Sequence, residues 1–155
     1  MLKYVNGSVV FQEIPDEVTL SINISNCPCH CPSCHSQYLW KDIGEPLTPL
    51  VLERFIAEYG HDITCVCFMG GDADPYYVNV LAKYIHSEHP ELKVGWYSGR
   101  SRIPRTICKG DFDYIKLGPF IKHLGCLTER TTNQRLYKRV SGESFSDITE
   151  RFWRK

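Results

Sequence analysis

Residues Val18 to Ser36 read VTLSINISNCPCHCPSCHS. The first part alternates. Val18, Leu20, Ile22 and Ile24 fall on one side of an extended chain, and Thr19, Ser21 and Asn23 on the other. That pattern predicts a strand with a buried face. A loop follows at once, with Cys27, Cys31 and Cys34 spaced as Cys-x3-Cys-x2-Cys. Three thiolates at this spacing suit three irons of a [4Fe–4S] cube and leave the fourth iron open, whereas most electron-transfer clusters take four cysteines. A cluster short of one ligand binds something else, and binding at a cluster points to chemistry.

The elements around this stretch set the fold class. Thr48-Pro49 opens a helix as N-cap and first-turn proline, Leu52, Phe55, Ile56 and Tyr59 recur at helical spacing, and Gly60 ends it. Residues 63–68 (ITCVCF) read as a short strand, apolar on both faces as in a parallel sheet, that runs into Met69-Gly70-Gly71-Asp72. Asp74-Pro75 caps the next helix, whose buried stripe is Val78, Leu81, Ala82 and Ile85. Residues 92–97 and 113–117 are the third and fourth strands, ending at Ser98-Gly99 and Gly118-Pro119. Upstream, Asn6-Gly7 signals a hairpin inside residues 1–16. The last third is polar and reads as irregular, with one short helix near its end.

Strands alternating with helices predict an α/β fold with parallel strands. A full eight-fold barrel takes ~250 residues. A chain of 155 residues is too short for one, so the expectation is a single domain over 1–155 built as a partial, open parallel β/α barrel. In such folds the loops at the carboxyl ends of the strands carry the site. The cysteine loop, Gly70-Gly71-Asp72, Ser98-Gly99 and Lys116-Leu117-Gly118 all lie at such ends and should converge on one mouth.

Composition narrows the function classes. Apolar residues make up 43%, enough for a core, and 18 basic side chains balance 18 acidic ones. Zero net charge gives no electrostatic case for a nucleic acid or a membrane surface. Eight cysteines would suit a small secreted disulfide protein, but the N-terminus has no apolar signal core and no apolar run is long enough to span a bilayer. The expectation is a cytoplasmic protein with reduced thiols, where clustered cysteines mean metal or redox work. Cys65 and Cys67 alternate within an apolar strand and read as small core residues.

This constellation resembles the radical S-adenosylmethionine superfamily, whose signature is Cys-x3-Cys-x2-Cys after the first strand and a Gly-Gly-acid turn after the second. Here these are Cys27 to Cys34 and Gly70-Gly71-Asp72. Two further stretches, DYIKLGPF from Asp113 and TTNQR from Thr131, are similar to the proteins that activate anaerobic (class III) ribonucleotide reductase. The resemblance covers about Val18 to Arg139 and implies a partial barrel of the superfamily's type. It also implies a [4Fe–4S] cluster on Cys27, Cys31 and Cys34, with S-adenosyl-L-methionine on the open iron. Reductive cleavage then gives a 5′-deoxyadenosyl radical that removes hydrogen from a glycine of the reductase. The implied partners are the large subunit of anaerobic ribonucleotide reductase and a reduced flavodoxin- or ferredoxin-like one-electron donor.

The resemblance also assigns the cofactor's surroundings. Ser33, Cys34 and His35 lie beside it, with Ser33 where the superfamily often has an aromatic residue. Gly70 and Gly71 let the backbone approach closely, and carbonyls there, or the Asp72 carboxylate, accept from the methionyl ammonium. Ser98 and Lys116 meet its carboxylate or the ribose. Cys29 is an extra thiol inside the loop. Two other functions fit parts of the pattern. One is another small radical S-adenosylmethionine enzyme acting on a small molecule, such as a 7-carboxy-7-deazaguanine synthase. The other is a non-catalytic zinc-binding module in which His30, His35 or Cys29 completes the ligands.

Overall fold

The computed structural model describes residues 2–32, 34 and 36–153. Their eight strands form one open sheet that does not close into a barrel, in a mixed α/β fold with two α-helices. The strands are β1 (Lys3–Val10), β2 (Thr19–Ile24), β3 (Glu45–Pro46), β4 (Cys65–Met69), β5 (Lys93–Tyr97), β6 (Tyr114–Leu117), β7 (Arg135–Ser141) and β8 (Ser144–Asp147). Their order across the sheet is β3-β1-β2-β4-β5-β6-β7-β8. The centre, β2-β4-β5-β6, is parallel, and the remaining pairs on both sides are antiparallel.

The two helices begin where the sequence places their caps. Helix α1 (Pro49–Tyr59) starts at Thr48, whose hydroxyl accepts from the Val51 N–H at 3.3 Å. Helix α2 (Pro75–Glu88) starts at Asp74, whose carboxylate accepts from the Tyr77 N–H at 3.2 Å. Both are crossovers between neighbouring parallel strands that progress in one direction, so right-handed connections put them on the same face. There Leu52, Ile56, Val78, Leu81 and Ile85 pack on Leu20, Ile22, Val66, Phe68, Val94 and Ile115 to form the main core. The link from β5 to β6 carries no α-helix, but its Ile107 and Phe112 join the same core.

The opposite face has a smaller core of Ile14, Cys65, Cys67, Tyr114, Leu127 and Leu136. Cys65 and Cys67 are fully buried there, as their alternation predicts. The link between β1 and β2 folds over this face. Ile14 packs so close that a Cβ on Gly95 would stand 2.7 Å from its Cδ1. Beneath it Glu17 is a buried carboxylate with three donors: Thr64 Oγ1 at 2.7 Å, Lys93 Nζ at 2.7 Å and the Tyr114 hydroxyl at 2.6 Å.

Two expectations are corrected. Asn6-Gly7 does not turn a hairpin within residues 1–16: both residues lie inside β1, whose antiparallel partners are β2 and β3. Gly7 serves packing instead, since a Cβ there would meet the Phe55 ring at 2.8 Å. The last third is irregular only in part: residues 118–134 form no helix or strand, but β7 and β8 extend the sheet through a turn at Gly142. The short helix expected near the end is a 3-10 turn over Thr149–Phe152.

Candidate functional site

The cysteine loop leaves β2 through Asn26 and re-bends at His30, both with positive φ (60° and 43°). The returning segment holds it down. The Cys27 N–H donates to Leu39 O at 2.9 Å and the Asn26 N–H to Lys41 O at 3.2 Å. The Ser25 hydroxyl donates to Ile43 O at 2.6 Å. Within the loop the Cys34 N–H donates to Cys31 O at 3.0 Å, and the Ser36 N–H points at Cys34 Sγ at 3.4 Å. The Cys29 thiol donates to Cys27, which together with the Cys29 and His30 backbone N–H groups holds the Cys27 pKa down to about 6 against burial and the Asp72 charge. The same hydrogen bond, then burial and the Asp72 charge, push the Cys29 thiol up. All four loop cysteines are half-buried and free of disulfides.

Opposite this loop, Gly70 and Gly71 take positive φ (111° and 94°). Their missing Cβ atoms face protein: one on Gly70 would lie 3.2 Å from Ile24 O, and one on Gly71 2.5 Å from Val78 Cγ2. The Gly70 carbonyl accepts from the Trp96 indole N–H at 2.7 Å. Asp72 is buried and already engaged. It accepts from Ser98 Oγ at 2.5 Å, the Gly99 N–H at 2.8 Å and the Cys29 thiol at 3.5 Å, with Arg100 Nε at 3.5 Å. Asp72 therefore ties the cysteine loop to the turn after β5.

Lys116 points inward from β6. Its ammonium donates to Ser98 O at 3.2 Å and Gly118 O at 2.8 Å and lies 5.8 Å from the centre of the Tyr97 ring. Burial lowers its pKa, opposed by the charges of Asp72, Cys31, Cys29 and Cys34. This is a buried cation within electrostatic reach of three thiols and one carboxylate.

These groups line one cavity of about 770 Å³ over the carboxyl ends of the parallel strands. Cys27, Cys31, Cys34, Gly70, Asp72, Ser98 and Lys116 are all on its wall, as is Cys29. The predicted cofactor neighbours Ser33 and His35 lie outside the described residues. Sequence reasoning missed Trp40, Tyr97, Cys126, Gln134 and Phe152, which also line the cavity. Only Gln134 carried a signal, as part of the TTNQR stretch.

Among the described residues, no three His, Cys, Asp or Glu side chains stand together as a group able to hold a metal ion. The donor chemistry nevertheless fits an iron–sulfur cluster, since soft thiols share one wall and a backbone N–H is aimed at one of the sulfurs. A second observation points the same way. Trp40 stacks on His30 with ring centres 4.7 Å apart, and its buried indole N–H has no acceptor among the described residues. A buried donor without a partner costs about 1–3 kcal/mol, so an anionic sulfur ligand beside it would relieve a standing penalty. The chain matches no protein-family model, no curated protein and no solved structure. No helix among the described residues is long and apolar enough to cross a membrane.

Proposed function

We propose that this protein is a glycyl-radical activase of the radical S-adenosylmethionine type. It takes S-adenosylmethionine as co-substrate, and its target is a glycine of anaerobic ribonucleotide reductase. The observation that carries this reading is convergence: Cys27, Cys31 and Cys34, Gly70 and Asp72, Ser98 and Lys116 come from four separate strand ends and line a single cavity. An open sheet with a parallel centre and both helices on one face supports a partial barrel of the superfamily's type. In this reading Cys27, Cys31 and Cys34 hold a [4Fe–4S] cluster. When bound, the cluster supplies the electron that splits the sulfonium and yields a 5′-deoxyadenosyl radical. A reduced flavodoxin- or ferredoxin-like protein would supply that electron.

The chain's own groups have defined tasks here. Lys116 presents a cation on the cavity wall, suited to the methionyl carboxylate. Asp72 holds Ser98 and Gly99 in place and so shapes the wall beside the thiols. Tyr97 and Phe152 add apolar wall, which keeps water from a reactive alkyl radical.

The test is anaerobic reconstitution with iron and sulfide, then reduction in the presence of S-adenosylmethionine and the reductase. The expected result is ~4 irons per chain, 5′-deoxyadenosine, and a glycine-centred doublet in the electron paramagnetic resonance spectrum of the reductase. A colourless protein with one tightly bound zinc, and no 5′-deoxyadenosine, would overturn the reading.

A further inference from the structure

Residues 98–110 and residues 130–142 each carry four cations and no acid, in a chain of zero net charge. The two runs have different surroundings. In the second, Arg139 pairs with Asp113 at 3.0 Å and Arg135 faces Asp147 at 3.7 Å, while Arg130 lies over the Trp153 ring and Lys138 over the Tyr114 ring. The first forms the link between β5 and β6. There Arg100 has Asp72, 3.5 Å from its Nε. Arg102, Arg105 and Lys109 have no side-chain hydrogen bond, ion pair or ring contact among the described residues, and Arg102 and Arg105 are exposed. Ile103 and Ile107 pin the link to the helix-covered core. An anchored backbone thus presents unneutralised positive charge, which attracts an acidic partner.

Position selects that partner. The link starts against the thiols: a Cβ on Gly99 would stand 2.8 Å from Cys29 Sγ. The next residue, Arg100, donates from Nη2 to Asp72 O at 2.7 Å, and the Asp72 carboxylate accepts from the Cys29 thiol. Ser98 and Gly99 line the cavity, but Arg100, Arg102, Arg105 and Lys109 do not. The charged surface therefore adjoins the thiol loop and leaves the cavity free. In the activase reading one electron must come from outside the chain. Electron transfer falls off steeply with distance, so its carrier has to dock close to the thiols, yet it must not fill the cavity that the other reactants use. Electron-carrier encounters bury little surface, less than ~1,200 Å², so a short link can form much of one side. We infer that the link between β5 and β6 is the docking surface for an acidic one-electron carrier, whose carboxylates meet Arg100, Arg102, Arg105 and Lys109. Docking makes and breaks no bond: the carrier is oxidised by one electron, and the group held by the thiols is reduced by one. This inference rests on the activase reading.

The test uses the full chain, reconstituted anaerobically, with an acidic flavodoxin as the probe. Binding is read by fluorescence anisotropy of the labelled flavodoxin. Wild-type protein should bind it at ~20 mM salt and lose about tenfold in affinity by ~200 mM, because exposed charges are screened. Arg102→Glu combined with Arg105→Glu should weaken binding by about tenfold or more at the lower salt. Arg54→Glu combined with Lys138→Glu changes the net charge equally, at exposed sites on α1 and β7, and should stay within about twofold of wild type. No binding by wild-type protein at ~20 mM salt overturns the inference. Equal weakening in the two double variants does so too, since it would report net charge alone. The inference also fails if the Arg102 and Arg105 variant loses affinity for the reductase and keeps it for flavodoxin. 5′-Deoxyadenosine formed with dithionite, a small reductant that needs no docking surface, reports on the activase reading separately. Normal cleavage with dithionite but no charge-dependent docking overturns the docking surface alone. No cleavage overturns the activase reading and this inference with it.

Discussion

At the scale of single residues, four cysteines of similar exposure have different work. Cys27, Cys31 and Cys34 carry the ligand spacing, while Cys29 has one S–H shared between Cys27 and Asp72. Alanine at Cys27, Cys31 or Cys34 should remove most of the bound iron after reconstitution. Cys29→Ala should keep it, because its thiol acts as a donor that other groups can replace. Iron and sulfide analysis checks this, and full iron in Cys31→Ala would end the ligand assignment. Trp40 offers a second check. Its indole N–H is buried without an acceptor among the described residues, so in Trp40→Phe the relief of that unpaired donor offsets the lost ring packing, and metal-free protein should change in stability by less than about 1 kcal/mol in urea titrations. In loaded protein the same change should lower the cluster's reduction potential, since hydrogen bonds to cluster sulfurs raise it. An unchanged potential would mean that the indole donates elsewhere. The cysteine spacing is read directly from the sequence, and the structure adds that Cys27, Cys31 and Cys34 share one cavity wall. The engagement of Asp72 and of the Gly70 carbonyl was not legible there, since both partners arrive from β5 and the turn after it.

At the scale of elements, local chemistry was readable where it acts within a few residues. Thr48 and Asp74 cap the helices that they were expected to cap, because a cap needs only the next turn. Strands at the sheet's margin were harder. Strand β7 buries only Leu136 fully and β8 buries nothing, so neither shows the alternation that marks a covered strand. Their docking depends on Asp113, just before β6. Its carboxylate accepts from the Val94 N–H and His86 Nε2, both at 2.8 Å, and from Arg139 of β7 at 3.0 Å. Burial pushes the Asp113 pKa up, but the His86 hydrogen bond, the Val94 N–H and Arg139 outweigh it and hold it below the usual carboxylate value. A depressed carboxylate pKa stabilises the fold above the unfolded value of ~3.9, and that contribution is lost as pH falls through the folded value. Asp113→Asn should therefore cost about 1–2 kcal/mol at pH 7 and progressively less below about pH 4. Urea unfolding at several pH values measures this. A cost that does not change with pH would assign the effect to shape rather than charge.

At the scale of the whole molecule, the sheet separates two jobs. One face is sealed by helices, and the other is left for the cavity, closed at its base by the link between β1 and β2. The open sheet and its mouth were foreseeable from the alternation of strands and helices. The closure was not, because it depends on Ile14 meeting a glycine in β5, a contact with no periodic signature. Besides the Glu17 hydrogen bonds, it is held by Ile14 against Gly95, by the Tyr97 hydroxyl donating to Glu13 O, and by Arg151 paired with Asp16 at 2.7 Å. Gly95→Val tests its importance. The new side chain would drive into Ile14 Cδ1 and stand 3.2 Å from Cys67 Sγ at its first carbon, so the link must lift. Overpacking of this kind costs about 1–3 kcal/mol. Thiol labelling of metal-free protein, read by mass spectrometry, gives the spatial answer. In wild type the exposed Cys108 should label first, and the fully buried Cys65 and Cys67 last. In Gly95→Val, Cys65 and Cys67 should label at least several-fold faster while Cys108 keeps its rate, because the helix-covered face is untouched. Uniform acceleration of all three would indicate global unfolding instead. Unchanged labelling of Cys65 and Cys67 would show that the link does not seal this face.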